Sequence, residues 1–482
     1  MDKGLFMNLS RRKKNSSRRE GVKHLFTGII ALLLMTHCAN GPVLPDTSSK
    51  SDRQVTRKAC GHVLTNTSVW SPDGHWLVYD TRHEGVGLGF NGNYIEMVNV
   101  ETLEIKRIFE SGNGANCGVV TFHPREHKVV FILGPENPTP DWEYAMWHRQ
   151  GAIVDTATPG KWANLDACDV TPPFTPGALR GGSHVHVWDA AGEWVSFTYE
   201  DHVMAQFQEA TDSNDINLRN VGVSVPGTAV RVKKDHPRNR DSEYFSVLVT
   251  RTTARPKSGS DQISKAFEEG WVGVNGYLRA NGQRQRRALA FQGNVVTAKE
   301  QTISEVFIVD LPEDLTIAGE GPLEGTPARM PYPPKGAVQR RLTFTSERKF
   351  PGLQGTRHWL RSSPDGTRIA FLMKDDQGIV QLWTISPNGG SPHQLTKNPW
   401  PIASAFTWSP DGRFIAHVLD NSVFLTDTQT GKGTRLTSRS GNTEAPLPEA
   451  CVFSPDGKKI AYLRRVLENG SRYNQIFVVS PF

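Results

Sequence analysis

The chain writes nearly the same twelve residues several times. Residues 407–418 read TWSPDGRFIAHV, 361–372 read RSSPDGTRIAFL, 452–463 read VFSPDGKKIAYL, and 70–79 read WSPDGHWLVY. Proline presets φ for the second position of a type I turn, aspartate tolerates the third, and glycine takes a left-handed fourth at no steric cost. Each copy is therefore a β-hairpin: a β-branched and aromatic run, the SPDG turn, then an alternating apolar run. A further apolar run follows (QLWTIS at 381–386, VFLTD at 423–427, QIFVVS at 475–480), then a short strand with a polar start (HQLT at 393–396, TRLT at 434–437). Ser363, Ser409 and Ser454 are 46 and 45 residues apart. Four strands at that period predict an all-β fold, a β-propeller of four-stranded antiparallel blades.

Weaker copies fill the remainder. VVTFHPREHKVVFIL (119–133) keeps the proline and loses the glycine, and VHVWDAAGEWVSFTY (185–199) does the reverse. YFSVLVT (244–250), ALAFQGNVV (288–296), EVFIVDL (305–311) and QRRLTFT (339–345) read as one stretched blade, interrupted at 251–287. Within the interruption, SDQISKAFEEGW reads as a short helix capped by Ser260. The count gives seven blades, near 62–110, 116–170, 183–234, 240–345, 357–397, 402–438 and 447–482, with six or eight also compatible. The last blade runs out at Phe482 after three strands, and RQVT (53–56) has the sequence of its missing fourth. An N-terminal strand that completes the C-terminal blade would leave no exposed sheet edge. The propeller is thus expected over 53–482.

The net charge of +6 sits in a leader: residues 1–24 hold eight basic and two acidic side chains, and the rest is neutral. That argues against a nucleic-acid partner. The apolar run LFTGIIALLLM (25–35) is too short to span a bilayer as a helix, and after a basic stretch it reads as an export signal over 1–38. LLLMTHC resembles a bacterial lipobox, which implies acylation of Cys38 and a membrane-anchored lipoprotein of the periplasm; His37 stands where a small residue is usual. Residues 39–52 read as a tether. The remaining cysteines, Cys60, Cys117, Cys168 and Cys451, allow three pairings in a compartment that permits disulfides, and isolated buried thiols are the simpler reading.

The SPDG repeat with its terminal QLT-type strand resembles the WD40-like repeats of TolB-type propellers. GPENP (134–138), RGGSHVHVW (180–188), VSFTYEDHVM (195–204), RNVGV (219–223), QRRLTFT (339–345) and DDQGIVQLW (375–383) resemble the YidR-type family of bacterial proteins across nearly all of 60–482. The resemblance implies the propeller and carries no activity with it. The basic leader and NGYLRANGQRQRRA (275–288) depart from the family pattern.

Several patterns invite chemistry. GLGFNG (87–92) satisfies GxGxxG, but YIEMVNV after it reads as a strand, so no helix N-terminus would meet a pyrophosphate. GGSHV (181–185) approaches a nucleophile elbow, and Val185 breaks it. TDSNDIN (211–217) is acidic without EF-hand spacing. Aligned on their turns, the inner strands place Asn66, His184, His358, Ser404 and Glu449 at equivalent channel-mouth positions, with Asn116 nearby. His186 is expected on the same side of the strand as His184, one step deeper, and His202 on a loop that could reach over. His184, His186, His358 and Glu449 are candidate ligands for a divalent Mn, Zn or Ca ion. At the level of fold and rim position the chain is similar to propeller-shaped oligogalacturonate lyases. That likeness implies a base for the proton α to a uronate carboxylate, with Arg180, Arg357 or Lys374 holding the carboxylate. WEYAMWHRQG (142–151) places Trp142, Tyr144, His148 and Arg149 together, a composition suited to sugar or anion recognition. No complete catalytic constellation is present. The primary expectation is a binding or scaffold module for an envelope protein or peptide. The alternative is a metal-dependent lyase or hydrolase of acidic oligosaccharides.

Overall fold

The computed structural model describes residues 52–83, 85, 89–211 and 217–482. The leader, Cys38, nearly all of the tether, Gly87, Leu88 and most of TDSNDIN lie outside the described residues. Seven four-stranded antiparallel sheets follow one another along the chain, with one extra two-stranded hairpin. Their inner strands begin at Gly61–Val63, Cys117–Phe122, Gly181–Trp188, Ala266–Trp271, Arg361–Ser362, Thr407–Trp408 and Pro446–Phe453. They are called blades 1 to 7.

The SPDG turns fold as their residue types dictate. In blade 1 the Gly74 N–H donates to Ser71 O at 2.9 Å, Gly74 holds φ +69°, and the His75 N–H donates to Asp73 Oδ1 at 3.0 Å. The same aspartate bond recurs at Asp365, Asp411 and Asp456. Apolar faces of consecutive sheets pack together. Val78, Ile95 and Phe109 of blade 1, for example, meet Phe122, Phe131 and Val154 of blade 2.

The ring closes as expected. Arg53–Gln54 pairs antiparallel with Val478 and Phe477 of blade 7, and buried Val55 joins the blade 7–blade 1 core. The imidazole Nδ1 of His62 in blade 1 lies 3.1 Å from both Thr56 Oγ1 and Gln475 Oε1, bridging both sides of the seam. Asp52 already belongs to the ring, since it receives Tyr462 Oη and pairs with Arg464 at 2.9 Å.

Two readings are corrected. Ala266–Trp271 is the inner strand of blade 4, and Ser260 closes a turn by donating to Lys257 O. The two adjacent glutamates of AFEEGW imitate the polar face of a helix, but in the strand Glu268 lines the channel mouth while Glu269 accepts from Thr198, with the register broken between Phe267 and Gly270. Ser242–Leu248 is the outer strand of blade 3, paired with Asn220–Val230, and does not open blade 4. A register shift between Pro226 and Val230 lengthens that blade. The described residues also contain a helix at His202–Thr211, so His202 begins a helix and is not on a loop. All four described cysteines are free; Cys117, Cys168 and Cys451 are buried.

Candidate functional site

A cavity of about 480 Å³ opens at the end of the channel away from the SPDG turns. Its walls hold three of the aligned residues, Asn66, His184 and Glu449, with Arg357 and Arg149. They also hold Arg82, Arg219 and Lys265, which the sequence did not single out. Three of the five cations are neutralised. Arg82 pairs with Asp80 at 2.7 Å, Arg219 Nε donates to Glu200 at 2.7 Å, and Arg357 meets Glu268 at 2.7 Å. Arg149 and Lys265 make no ion pair with a carboxylate among the described residues. Arg149 Nε donates to Tyr144 Oη at 2.9 Å, and Lys265 lies 4.4 Å from the Phe267 ring centroid.

The backbone around this cavity is strained in one repeated way. Val119, Val185 and Glu268, in the inner strands of blades 2, 3 and 4, hold φ at +58°, +59° and +54°. Each lies at a register shift with the next strand, and all three line the cavity. A β-branched residue at positive φ is an outlier, and such outliers cluster at binding and active sites. A bulge re-aims the side chains around it. Here it corrects a sequence expectation: the shift between His184 and Val187 breaks the alternation, so His184 faces the cavity and His186 does not. His186 Nε2 instead meets Ser183 Oγ at 2.9 Å, and Ser183 donates to Asp166.

Buried polar atoms without partners mark the same cavity: His184 Nδ1, Asn66 Nδ2 and Glu268 Oε2. Burial, then Arg149, Arg219 and Arg357, hold the His184 pKa well below the usual imidazole range, so the ring stays neutral. Burial pushes the Glu449 carboxyl up.

The metal set does not assemble. His358 Nδ1 donates to Thr356 O at 2.8 Å and its Nε2 accepts from Leu372 N at 3.1 Å, so both nitrogens are spent inside blade 5. Ser404 does the same work in blade 6 by accepting from Val418 N at 2.7 Å. Among the described residues no group of three or more His, Cys, Asp or Glu side chains could hold a metal ion. The four residues do not fit a shared cation.

Arg180 is corrected as well. Fully buried, it donates to Asp201 through Nε at 3.1 Å, to Thr326 O at 2.6 Å and to Arg329 O at 3.1 Å. It staples the 322–334 loop to blade 3 and has no face for a ligand. Lys374 stands 5.4 Å from the Phe350 ring centroid and does not line the mouth.

The remaining candidates occupy neighbouring ground. Trp142 stacks on His148 at 3.9 Å, and both line a second cavity of about 260 Å³ that shares Arg149 with the mouth. Asn116 and Tyr144 line a third, of about 370 Å³. A larger cavity of about 700 Å³ lies against the 275–288 insertion. Its Arg286 and Arg287 are paired with Glu313 and Asp189, its Arg284 donates to Asn275 O, and it borders the turn end of the channel; the mouth, with its strained backbone and unpartnered His184 Nδ1, is the better site.

Fold and site together define a seven-bladed β-propeller with a basic, strained channel mouth. The chain belongs to the YidR family: it is 48% identical over 427 residues to "Uncharacterized protein YidR" of Escherichia coli (strain K12), covering 88% of this chain and 97% of the relative. Residues 116–240 match the family described as a protein of unknown function (DUF3748), and 383–466 match the dipeptidyl peptidase IV N-terminal region. Among solved structures, an oligogalacturonate lyase in complex with manganese aligns at a TM-score of 0.51 and 11% identity, over 90% of this chain and 95% of that one. TolB from Acinetobacter baumannii aligns at 0.35 and 14% identity, over 85% and 81%. At 11% identity the likeness to the lyase concerns the fold alone.

Proposed function

We propose that the chain is an exported binding module of the cell envelope, anchored through Cys38 if that residue is acylated, whose channel mouth holds an anionic ligand. One observation carries the reading. Arg149 and Lys265 stand without carboxylate partners beside the unpartnered Nδ1 of His184. A cation kept unpaired in a half-desolvated wall is costly unless an anion meets it. Binding is favoured over metal-dependent lyase chemistry because His358 is turned into its blade and His186 into the Ser183–Asp166 network.

The test is calorimetric titration of the leader-free protein with a panel of carboxylates, beginning with citrate, against the Arg149→Glu, Lys265→Glu double variant. Reversal of two charges is expected to weaken binding by at least about a hundredfold. Undiminished binding by the double variant would move the site elsewhere.

A further inference from the structure

The cations without carboxylate partners do not stop at the mouth. The second cavity shares Arg149 as a common wall, and its Arg238 likewise makes no ion pair with a carboxylate among the described residues. Arg238 is held by backbone carbonyls, donating to Glu136 O at 2.6 Å and Asn137 O at 2.8 Å, and its guanidinium lies 5.5 Å from the Trp142 ring centroid. Carbonyls fix the guanidinium without forming an ion pair. The neighbouring Arg240, by contrast, is paired with Asp166. Lys265, Arg149 and Arg238 thus place cations without ion pairs in the mouth, on the shared wall and in the second cavity.

The two cavities differ in what else they offer. The mouth sets Trp359 beside Arg357, with 4.7 Å between guanidinium and ring. Half-buried Trp147 and Trp162 line the second cavity, where the buried Trp142 is already stacked on His148. Indole faces next to cations suit a ligand that alternates flat C–H surfaces with carboxylates and hydroxyls.

Resting on the reading of the mouth as an anion site, we infer that the ligand is a linear acidic oligosaccharide, with one unit in the mouth and the next across Arg149 in the second cavity. A small anion would need the mouth alone. An acidic peptide would meet the same charges but make less use of the indole faces.

The experiment compares galacturonic acid, its tetramer, the neutral galactose tetramer and a tetraglutamate peptide on the leader-free protein by calorimetry. The acidic tetramer is expected to bind at least about tenfold tighter than the monomer, because the second unit binds intramolecularly. Arg238→Ala should remove that gain and leave monomer affinity within about twofold, since Arg238 does not line the mouth. Trp147→Ala, which leaves the carbonyl-bound loop intact, should do the same. A tetramer no tighter than the monomer, equal loss for both ligands in the two variants, or tighter binding of tetraglutamate would overturn the inference. Citrate binding without any sugar binding would sink it while sparing the anion site. Absence of all binding would remove both.

Discussion

Nε2 of His148 lies 2.9 Å from Nδ1 of His202. His148 Nδ1 donates to Glu143 O at 2.6 Å, so in the neutral pair His202 donates and His148 accepts. A proton on His148 Nε2 reverses that bond and forces His202 into its other tautomer, and one on each ring sets two cations in contact. Trp142 stacks on His148 and meets the His202 ring at a tilt, and the Arg238 guanidinium lies 5.5 Å from the Trp142 centroid.

Acid should therefore weaken the fold. Burial, then His148 and His236, hold His202 down to about 3, and burial holds His186, His358 and His417 to about 4. Between pH 6.5 and 4 the unfolded chain takes up protons that the folded chain refuses, so stability falls as pH falls. Each such histidine adds a slope of about 1.4 kcal/mol per pH unit. Thermal melts at pH 7, 5.5 and 4.5 should show a falling Tm, with a smaller drop for His202→Gln. An acid-insensitive Tm would contradict this reading.

Arg180→Met should cost about 3–5 kcal/mol, the usual price of stranding one partner of a buried ion pair. It leaves Asp201 charged and fully buried and frees the carbonyls of Thr326 and Arg329. Urea unfolding measures the loss, and limited proteolysis should find the 322–334 loop newly accessible.

Val119→Gly should stabilise the protein or leave it unchanged. Its φ of +58° costs a β-branched residue roughly 1–3 kcal/mol, and the side chain is only half-buried. Val120→Gly one residue on, at 0% exposure, should be strongly destabilising. Equal losses in the two melts would argue against strain at the bulge.

Glu449→Gln should tighten anion binding severalfold at neutral pH by removing a negative charge from the mouth. Because burial raises its pKa, wild-type affinity should also rise as pH falls toward the carboxyl's range, while the variant stays flat. Affinity at two pH values in low salt decides it.

The SPDG hairpins and the closing strand were legible because their chemistry is local: a turn needs its proline, aspartate and glycine within four residues. The rim positions of Asn66, His184 and Glu449 were reachable by the same alignment. The rest of the site was not. Val119 and Val185 are ordinary strand residues, and nothing in their neighbours announces a left-handed backbone. Arg219 and Lys265 come from blades that have lost the turn signature, so no repeat brings them into register. His358 was misplaced because equivalent positions share a backbone site but not a destination. One imidazole is spent on a strand amide, the other left free in a cavity.

The seam at Arg53–Gln54 sets the order of events during synthesis. The strand at residues 53–54 is held by residues 477 and 478, made more than four hundred residues later. At typical elongation rates tens of seconds separate them. Until then the molecule is an open fan of blades whose first and last sheets are both unguarded, and whatever accompanies the nascent chain must shelter two ends at once.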